Sequence, residues 1–347
     1  MKGKIKVLGL VMILGLAAAV LLTNSPGWAQ KVTGKPVKPP PPPPTPADPA
    51  IVYSAGWDYA VLTVVNADGS NKKVITPQVK GVSNTGPDWS PNGKQIVFVD
   101  NALGPTAVNI INVDGTGQHR ILELRNSWGP VAWSPVPLAD GQYKIAVCHK
   151  AVLPGGTLKE DNDLFLVNLD GTGEVQLTDT PDVDEGYWSA GQIAWSPLGD
   201  MIAVTTPEDV LVYRIDYVGG LFTAASLGGI QRVPGSPIEH SFEIFDVDWA
   251  NTGYGVVVAT SSPEAATSDL WIVDVFNPLN VFRVTSTPLI HENSSTWSPT
   301  DSQVAYLVGD GAIWVINADG TGAKEIVPHI KRTQYSRPQW RRNILPQ

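Results

Sequence analysis

Charged and aromatic side chains are concentrated in the short segments that precede six tryptophans along the chain. One such segment, IHENSST at residues 290–296, places a histidine, a glutamate and an asparagine just before Trp297. Carboxylates beside aromatic rings suit a sugar or peptide ligand, because rings cover apolar surface and carboxylates hold hydroxyls or amines. The residues that we predict to bind a ligand are Glu243, Asp246, His291, Glu292, Asn293, Arg337, Trp128, Tyr187, Trp188 and Tyr335.

The sequence carries no recognisable catalytic signature. It has no G-x-S-x-G nucleophile elbow and no H-E-x-x-H zinc motif, and its single cysteine excludes a C-x-x-C pair. Of the five histidines, only His291 lies in one of the segments before a tryptophan. We therefore expect no catalytic residue, no bound metal and no other cofactor. Whether the chain is an enzyme stays open, and these features favour a protein that is not one.

One acidic stretch, DTPDVDEG at residues 179–186, is a weak candidate for calcium binding. It does not match the D-x-[DN]-x-[DN]-G calcium loop, because Gly186 comes one position too early. The aspartates of the D-G turns elsewhere in the chain are explained more simply by bonds to their own backbone.

Two short phrases alternate along the chain and form an internal repeat. The first, GPDWSPNGKQIVFVD at residues 86–100, returns in altered form around Trp133, Trp195 and Trp297. The second has the form N-x-D-G and begins at Asn66, Asn112, Asn168 and Asn317. Short apolar stretches bounded by proline, aspartate or asparagine, and glycine indicate β-strands joined by tight turns.

The repeated tryptophans give six units, spaced by 43 to 62 residues, which is typical of four-stranded propeller blades. The chain after residue 50 opens with the strand-like IVYSA, and SRPQW at residues 336–340 supplies a last strand. We predict an all-β fold, a six-bladed β-propeller of four-stranded blades, whose N-terminal strands pair with the C-terminal strand to close the ring. The six tryptophans are interpreted as packing residues.

The W-S-P-[DN]-G and N-x-D-G-T-G phrases resemble those of TolB-type, WD-like β-propellers over about residues 51–345. This resemblance implies six blades. TolB itself carries an additional α/β domain before its propeller, and we expect this chain to lack that domain. The same blades occur in binding proteins, in propeller domains of prolyl-oligopeptidase-type peptidases and in oligogalacturonate-lyase-like enzymes, so the resemblance implies a fold more strongly than a function.

In a propeller, the segments that precede the inner strands surround the mouth of the central channel, so the ten candidate residues are predicted to converge there. The alternative is that they are ordinary polar loop residues, with Trp128 and Trp188 packed between blades. A lyase would use Glu243, Glu292 and His291, but lyase-type propellers hold a metal with several histidines. A further segment, residues 219–239, interrupts the fourth blade and is predicted to be a long loop.

The N-terminus predicts export. Residues 1–29 have a basic start, an apolar run and small residues up to Ala29, the pattern of a secretory signal peptide or, if uncleaved, of a membrane anchor. Residues 30–50 form a linker whose six successive prolines favour polyproline II, and residues 51–347 form the propeller. The expected location is the periplasm or the extracellular space, with membrane contact only through an uncleaved N-terminal segment.

The formal net charge of −9 makes nucleic acid a poor partner. The only cysteine, Cys148, cannot form an internal disulfide and is predicted to be a small buried side chain. We expect a monomer whose partner is a protein or glycan of the cell envelope or extracellular space.

The sequence leaves three functions open. We expect an exported, non-catalytic β-propeller that binds a protein segment or a glycan at its central channel mouth. The alternatives are a polysaccharide lyase or hydrolase built on a propeller, and a structural scaffold of the envelope.

Overall fold

The computed structural model describes residues 50–56, 59–101, 105–125, 129–180, 185, 192–206, 209–230, 233–234, 236–239, 244–261, 267–309, 311–329 and 335–342. Within these residues the chain forms 24 strands in six four-stranded antiparallel sheets, and each sheet is one blade. No helix among the described residues has the length and apolar character needed to cross a membrane. The predicted all-β fold with six blades is confirmed.

The first three blades contain the first eleven strands of the described chain and, in blade 1, also the last strand. Blade 1 contains β1 (Ile51–Ala55), β2 (Val61–Val65), β3 (Lys73–Val74) and the last strand, β24 (Tyr335–Trp340). Blade 2 contains β4 (Ser83–Trp89), β5 (Gln95–Asn101), β6 (Ala107–Asn112) and β7 (His119–Glu123). Blade 3 contains β8 (Val131–Trp133), β9 (Lys144–Val152), β10 (Leu158–Asn168) and β11 (Val175–Gln176).

The other three blades follow in chain order. Blade 4 contains β12 (Ile193–Trp195), β13 (Met201–Thr205), β14 (Val210–Val218) and β15 (Leu221–Gly229). Blade 5 contains β16 (Ile244–Trp249), β17 (Gly255–Ser261), β18 (Ser268–Asp274) and β19 (Val281–Arg283). Blade 6 contains β20 (Glu292–Trp297), β21 (Gln303–Val308), β22 (Ala312–Asn317) and β23 (Lys324–Val327).

The ring closes through blade 1, in which the C-terminal strand β24 pairs with β1. Ile51 of β1 lies opposite Trp340 of β24, and the sheet continues through β2 to β3. The innermost strand of every blade contacts the innermost strand of the next, all the way round the ring. The predicted closure by strands from both ends of the chain is therefore confirmed.

The six repeat tryptophans occupy one structural position. Each is the last residue of an innermost strand, and all six are buried. Apolar side chains of neighbouring blades pack between the sheets, as where Cys148 and Leu164 of blade 3 meet Trp195 and Tyr213 of blade 4. The tryptophans therefore pack the blades together, and Cys148 is buried as predicted.

The D-G turns explain why the second phrase of the repeat recurs. In blade 3, Asp170 Oδ1 accepts hydrogen bonds from the backbone N–H and the hydroxyl of Thr172, at 2.9 and 2.7 Å. In blade 2, Gly115 adopts a φ of 93°, and a Cβ on it would lie 2.8 Å from the carbonyl oxygen of Ile75 in blade 1. The aspartate thus shapes the turn, and the glycine lets it pack on the preceding blade.

Blade 4 departs from the sequence-based expectation. The prediction of a loop over residues 219–239 is wrong for Leu221–Gly229, which forms β15, the outer strand of this blade. Gly219 and Gly220, with φ of 62° and 88°, form the two-residue turn that joins β14 to β15. Such a Gly-Gly pair is a hairpin signal, because both turn positions require positive φ.

Candidate binding site

The innermost strands give the central channel two different ends. All six run in the same direction, beginning at the end that we call the mouth and finishing with their tryptophans at the end that we call the lower end. The segments that lead from one blade into the next lie at the mouth. The turns that follow each tryptophan lie at the lower end.

Bulges interrupt the innermost strands of four blades just before the tryptophan. Three of them place a residue at positive φ three positions ahead of the tryptophan, namely Gly86 (56°), Ser294 (47°) and Arg337 (42°). A bulge re-aims a side chain, and a non-glycine residue at positive φ is strained. The backbone strain at Arg337 is of the kind that accumulates at functional sites.

Arg337 reaches across the channel instead of lying on its rim. Its Nη2 lies 3.4 Å from the carbonyl oxygen of Ile193 in blade 4, which stands opposite blade 1 in the ring. A Cβ on Gly86 of blade 2 would lie 3.7 Å from Arg337 Nη1. Burial lowers the pKa of Arg337, while the carboxylates of Asp246 and Asp88 act in the opposite direction. The structure thus places this predicted residue inside the channel.

Asp246 of blade 5 is the acidic counterpart of Arg337 in the channel. Burial raises the pKa of Asp246 to about 7, although the guanidinium of Arg337 lowers it. The carboxylate oxygen Oδ2 is buried and has no hydrogen-bond partner among the described residues. Buried polar atoms are normally satisfied, so this unpaired oxygen sets Asp246 apart from most buried carboxylates.

The rim of the mouth at blade 6 is exposed and largely apolar. Leu289 is 92% exposed and Ile290 39%, and His291 beside them is also exposed. Ser268 Oγ lies 3.4 Å from His291 Nδ1 and donates a hydrogen bond of 3.3 Å to Asn293 Oδ1. The structure therefore brings two of the predicted residues together at the mouth, next to two aliphatic side chains that the sequence-based prediction did not include.

Glu292 lies close to these residues in sequence but is buried between blades 5 and 6. Its two carboxylate oxygens accept hydrogen bonds from the hydroxyls of Thr285, at 3.2 Å, and Thr287. Burial raises the pKa of Glu292 to about 7. Thr285 Oγ1 also accepts the backbone N–H of Leu270 at 2.8 Å, so Glu292 is tied to the outer part of blade 5.

A similar arrangement lies between blades 3 and 4, and the sequence-based prediction missed it. Glu185 is buried, and its Oε1 accepts hydrogen bonds of 2.8 Å from both Thr180 Oγ1 and Tyr213 Oη. Burial raises the pKa of Glu185 to about 7. The signal that could have found both sites is the phrase T-x-T-P, which occurs at residues 178–181 and 285–288, before each glutamate.

Half of the predicted site cannot be compared with the structure. Glu243, Trp128, Tyr187 and Trp188 lie outside the described residues, and Tyr335 lies in β24 with its side chain not described. In the acidic stretch proposed for calcium, Asp179 is exposed, whereas residues 181–184 and 186 are also outside the described part. No group of three or more His, Cys, Asp or Glu side chains within the described ranges is placed to hold a metal ion.

The lower end of the channel is held by carboxylates that bridge neighbouring blades. Asp88 of blade 2 accepts the backbone N–H of its own neighbour Trp89, at 2.8 Å, and that of Trp133 in blade 3, at 2.7 Å. Asp248 of blade 5 accepts the N–H of Trp297 in blade 6 at 2.8 Å. These bridges were not predicted, although the dipeptide Asp-Trp occurs in both segments of the repeat.

Arg342 crosses the lower end of the channel. It follows β24 of blade 1, donates to the carbonyl oxygen of Trp195 in blade 4 at 3.0 Å and pairs with Asp248 of blade 5 at 2.6 Å. Both ends of this ion pair are largely buried, so the interaction is shielded from water. An arginine of blade 1 thus spans the lower end of the channel.

Comparison with known proteins gives partial sequence matches and similar folds. No protein-family model matches the chain. A Tol-Pal system protein TolB of Rhizorhabdus wittichii is 35% identical over 74 residues, which is 21% of this chain and 16% of that protein. An uncharacterised protein of Agrobacterium fabrum is 30% identical over 120 residues, which is 35% of this chain and 39% of that protein. The matched parts therefore span less than half of either relative.

The fold is similar to that of a solved TolB. The crystal structure of TolB from Acinetobacter baumannii superposes with a TM-score of 0.63 and 17% identity, covering 85% of this chain and 67% of the other. At that identity the likeness concerns the fold, and it agrees with the six closed blades described above. The chain therefore has the six-bladed β-propeller fold that this TolB also has.

Proposed function

We propose that this chain is an exported, non-catalytic propeller that binds an extended segment of a cell-envelope protein at its channel mouth. The observation that carries the proposal is the layering of the channel. Exposed Leu289, Ile290 and His291 form the rim at blade 6, and Arg337 and Asp246 lie buried deeper in the channel.

This layering matches the chemistry of a polypeptide. Aliphatic rim residues can pack against apolar side chains of the segment, which is how the centres of protein interfaces gain most of their affinity. Deeper in the channel, the guanidinium of Arg337 can donate to a carboxylate or a backbone carbonyl. The free oxygen of Asp246 can accept an N–H or an amine. Because Arg342 crosses the lower end, the segment would enter from the mouth.

A protein segment suits the rim at blade 6, because the exposed Leu289 and Ile290 can pack against its apolar side chains, whereas sugars stack mainly on aromatic faces. Envelope location draws further support from the relative named as a Tol-Pal system protein. The proposed location is the periplasm or the extracellular space, and no cofactor is proposed. A lyase using Glu292 and His291 is less well supported, since the carboxylate of Glu292 is bonded to Thr285 and Thr287.

The test is retention of a partner by the immobilised chain from an envelope extract, followed by measurement of its affinity after identification by mass spectrometry. The mouth variant is Leu289→Glu/His291→Glu, which puts charge on the rim at two exposed positions. We expect the dissociation constant for the captured protein to rise at least about tenfold, as for the loss of an interface anchor.

The matched control is Leu198→Glu, a charge at an exposed leucine in the turn at the lower end of blade 4. Thermal unfolding should be the same for all three proteins, because none of the changed side chains is buried. Equal retention by the mouth variant would contradict the proposed site. Release of the partner by a soluble glycan of the envelope would instead identify a glycan ligand.

A further inference from the structure

The outer edge of blade 4 differs from the outer edges of the other five blades. The outer strands β3 and β11 have two residues each, and β7, β19 and β23 have five, three and four. β7, β19 and β23 also contain charged residues, as β3 does at Lys73. β15 has nine residues, LFTAASLGG, and none of them is charged.

Short strands and edge charges are the usual means by which β-proteins prevent sheets from pairing edge to edge. Five edges of this propeller have one or both of these features, and β15 has neither. No described segment pairs with its outer side, since β15 is the last strand of its sheet. A row of backbone N–H and C=O groups is thus left available to another strand.

Exposed apolar side chains accompany this edge. Leu221 at the start of β15 is 65% exposed and Leu227 near its end is 50% exposed. At the tip of the hairpin, Val218 is 69% exposed and Tyr217 40%. Exposed apolar groups gathered on one hairpin, rather than scattered singly, mark an interaction surface.

We propose that β15 pairs with β15 of a second copy of this chain, antiparallel about a two-fold axis, to form a homodimer through blade 4. This replaces the monomer expected from the sequence. The two blades would join into one eight-stranded sheet, as in other strand-addition interfaces. The interface would be isologous, with the same strand contributed by both copies.

The charge distribution favours a second copy as the occupant. In a two-fold pair both strands have the same sequence, so any charge in β15 would be present on both sides of the same short interface. The chain has a net charge of −9, and an uncharged strand is a place where two such copies can meet without opposing like charges.

The side chains of β15 also fit a two-fold pair. An axis at Ala224 places Thr223 opposite Ala225, and Phe222 opposite Ser226, within the part of the strand that precedes the bulge at Leu227. Phe222 is buried, and the other residues are small and leave room for close approach. The same axis brings the exposed Leu221 of one copy near the exposed Leu227 of the other.

The test is sedimentation velocity of the full chain over a range of concentrations. We expect a dimer for the wild type, and monomers for Thr223→Lys/Ala225→Lys and for Thr223→Glu/Ala225→Glu. Like charges opposite each other on paired strands are destabilising, so the dimer dissociation constant should rise about tenfold or more in each variant. An equimolar mixture of the two variants should form dimers again, because lysine then lies opposite glutamate.

The matched control is Leu198→Lys, which adds a charge at an exposed position of the same blade outside β15. This variant should leave the dimer intact. The charged variants should unfold at the same temperature as the wild type when both are measured at a concentration where the wild type is also monomeric. That result would show that the variants fold. A wild type that stays monomeric up to about 100 μM, where even a weak specific dimer forms, would overturn the proposal. So would dimers that persist in both charged variants, or a monomeric wild type whose hairpin binds lipid vesicles.

Discussion

The lower ends of the six innermost strands share a buried tryptophan, whereas their upper ends differ from blade to blade. At the lower end every strand finishes in a buried tryptophan, and Asp88 and Asp248 bridge to the next blade. At the upper end, the position three residues before the tryptophan is glycine in blade 2, serine in blade 6 and Arg337 in blade 1.

The two ends of the innermost strands therefore have different roles: the lower end packs the blades together, and the upper end faces the channel or its mouth. The lower end repeats because each blade must pack on its neighbour in the same way, and the bridging contacts are buried and close. The upper end can vary because its side chains face the channel or the mouth. We expect substitutions at the lower end to change the free energy of unfolding, and substitutions of exposed residues at the mouth to change binding instead.

The largest effect is expected for Asp248→Ala at the lower end. The change removes the acceptor of the Trp297 N–H and leaves Arg342 without its buried partner. Breaking a buried ion pair from one side costs about 3–5 kcal/mol in the free energy of unfolding, which urea titration would measure. Alanine itself is tolerated at this place, since Ala132 and Ala194 precede the tryptophans of blades 3 and 4.

The control for Asp248→Ala is Asp170→Ala, which removes an aspartate that also accepts backbone N–H bonds but lies exposed in a D-G turn. Its effect should be much smaller. Equal losses in the two variants would mean that the inter-blade bridge adds nothing to stability beyond an ordinary turn.

A smaller, pH-dependent effect is expected for Glu292→Gln. The folded-state pKa of Glu292 is raised by burial from 4.5 to about 7, so the folded chain holds a proton that the unfolded chain releases in this range. The free energy of unfolding of the wild type should therefore fall as pH rises from 4.5 to 7, by up to about 3 kcal/mol from this residue. The variant should lack that contribution.

The measurement is urea unfolding of both proteins at pH 5 and pH 8. The difference between them isolates Glu292, because Glu185 and His149 are common to both. Burial lowers the pKa of His149, so that residue acts in the opposite direction, with stability lost as pH falls. A wild type and variant with identical pH profiles would show that Glu292 titrates normally in the folded chain.

The smallest effect is a difference between two tryptophans of the ring. Trp89 Nε1 donates to the carbonyl oxygen of Gln339 at 2.9 Å, whereas Trp297 Nε1 has no hydrogen-bond partner among the described residues. Trp89→Phe and Trp297→Phe remove similar amounts of buried ring. Trp89→Phe should therefore be more destabilising by about 1 kcal/mol, the net value of one hydrogen bond. Thermal unfolding compares them, and equal losses would count against a role for the indole N–H.

Much of the fold could be predicted from the sequence because the signals are local and repeated. The tryptophan period indicated six blades, and the D-G turns carry their geometry in two or three adjacent residues. The buried position of Cys148 also followed from its strand-like neighbours. The outer strand β15 was missed because it lacks both repeat phrases, and only the Gly219-Gly220 pair marks the hairpin.

The candidate site was predictable in part. His291 and Asn293 lie near the mouth as expected, because they stand at the start of an innermost strand, and these strands begin at the mouth. Glu292 was predicted to face a ligand, but its hydroxyl partners Thr285 and Thr287 come from the segment that leaves blade 5. The exposed Leu289 and Ile290 were not predicted, since aliphatic residues in a loop usually signal burial.

The sequence by itself determined the number of blades, the closure of the ring and the shape of the turns. These depend on backbone conformations and strand pairings that neighbouring residues decide, and each was specified several times over by the repeat. Only the tertiary structure decided which side chains cross the channel. Arg337 meets Ile193, 144 residues away, and Arg342 meets Trp195, 147 residues away. Such contacts exist only once the ring has closed, because closure brings the C-terminal strand to face the blade on the opposite side.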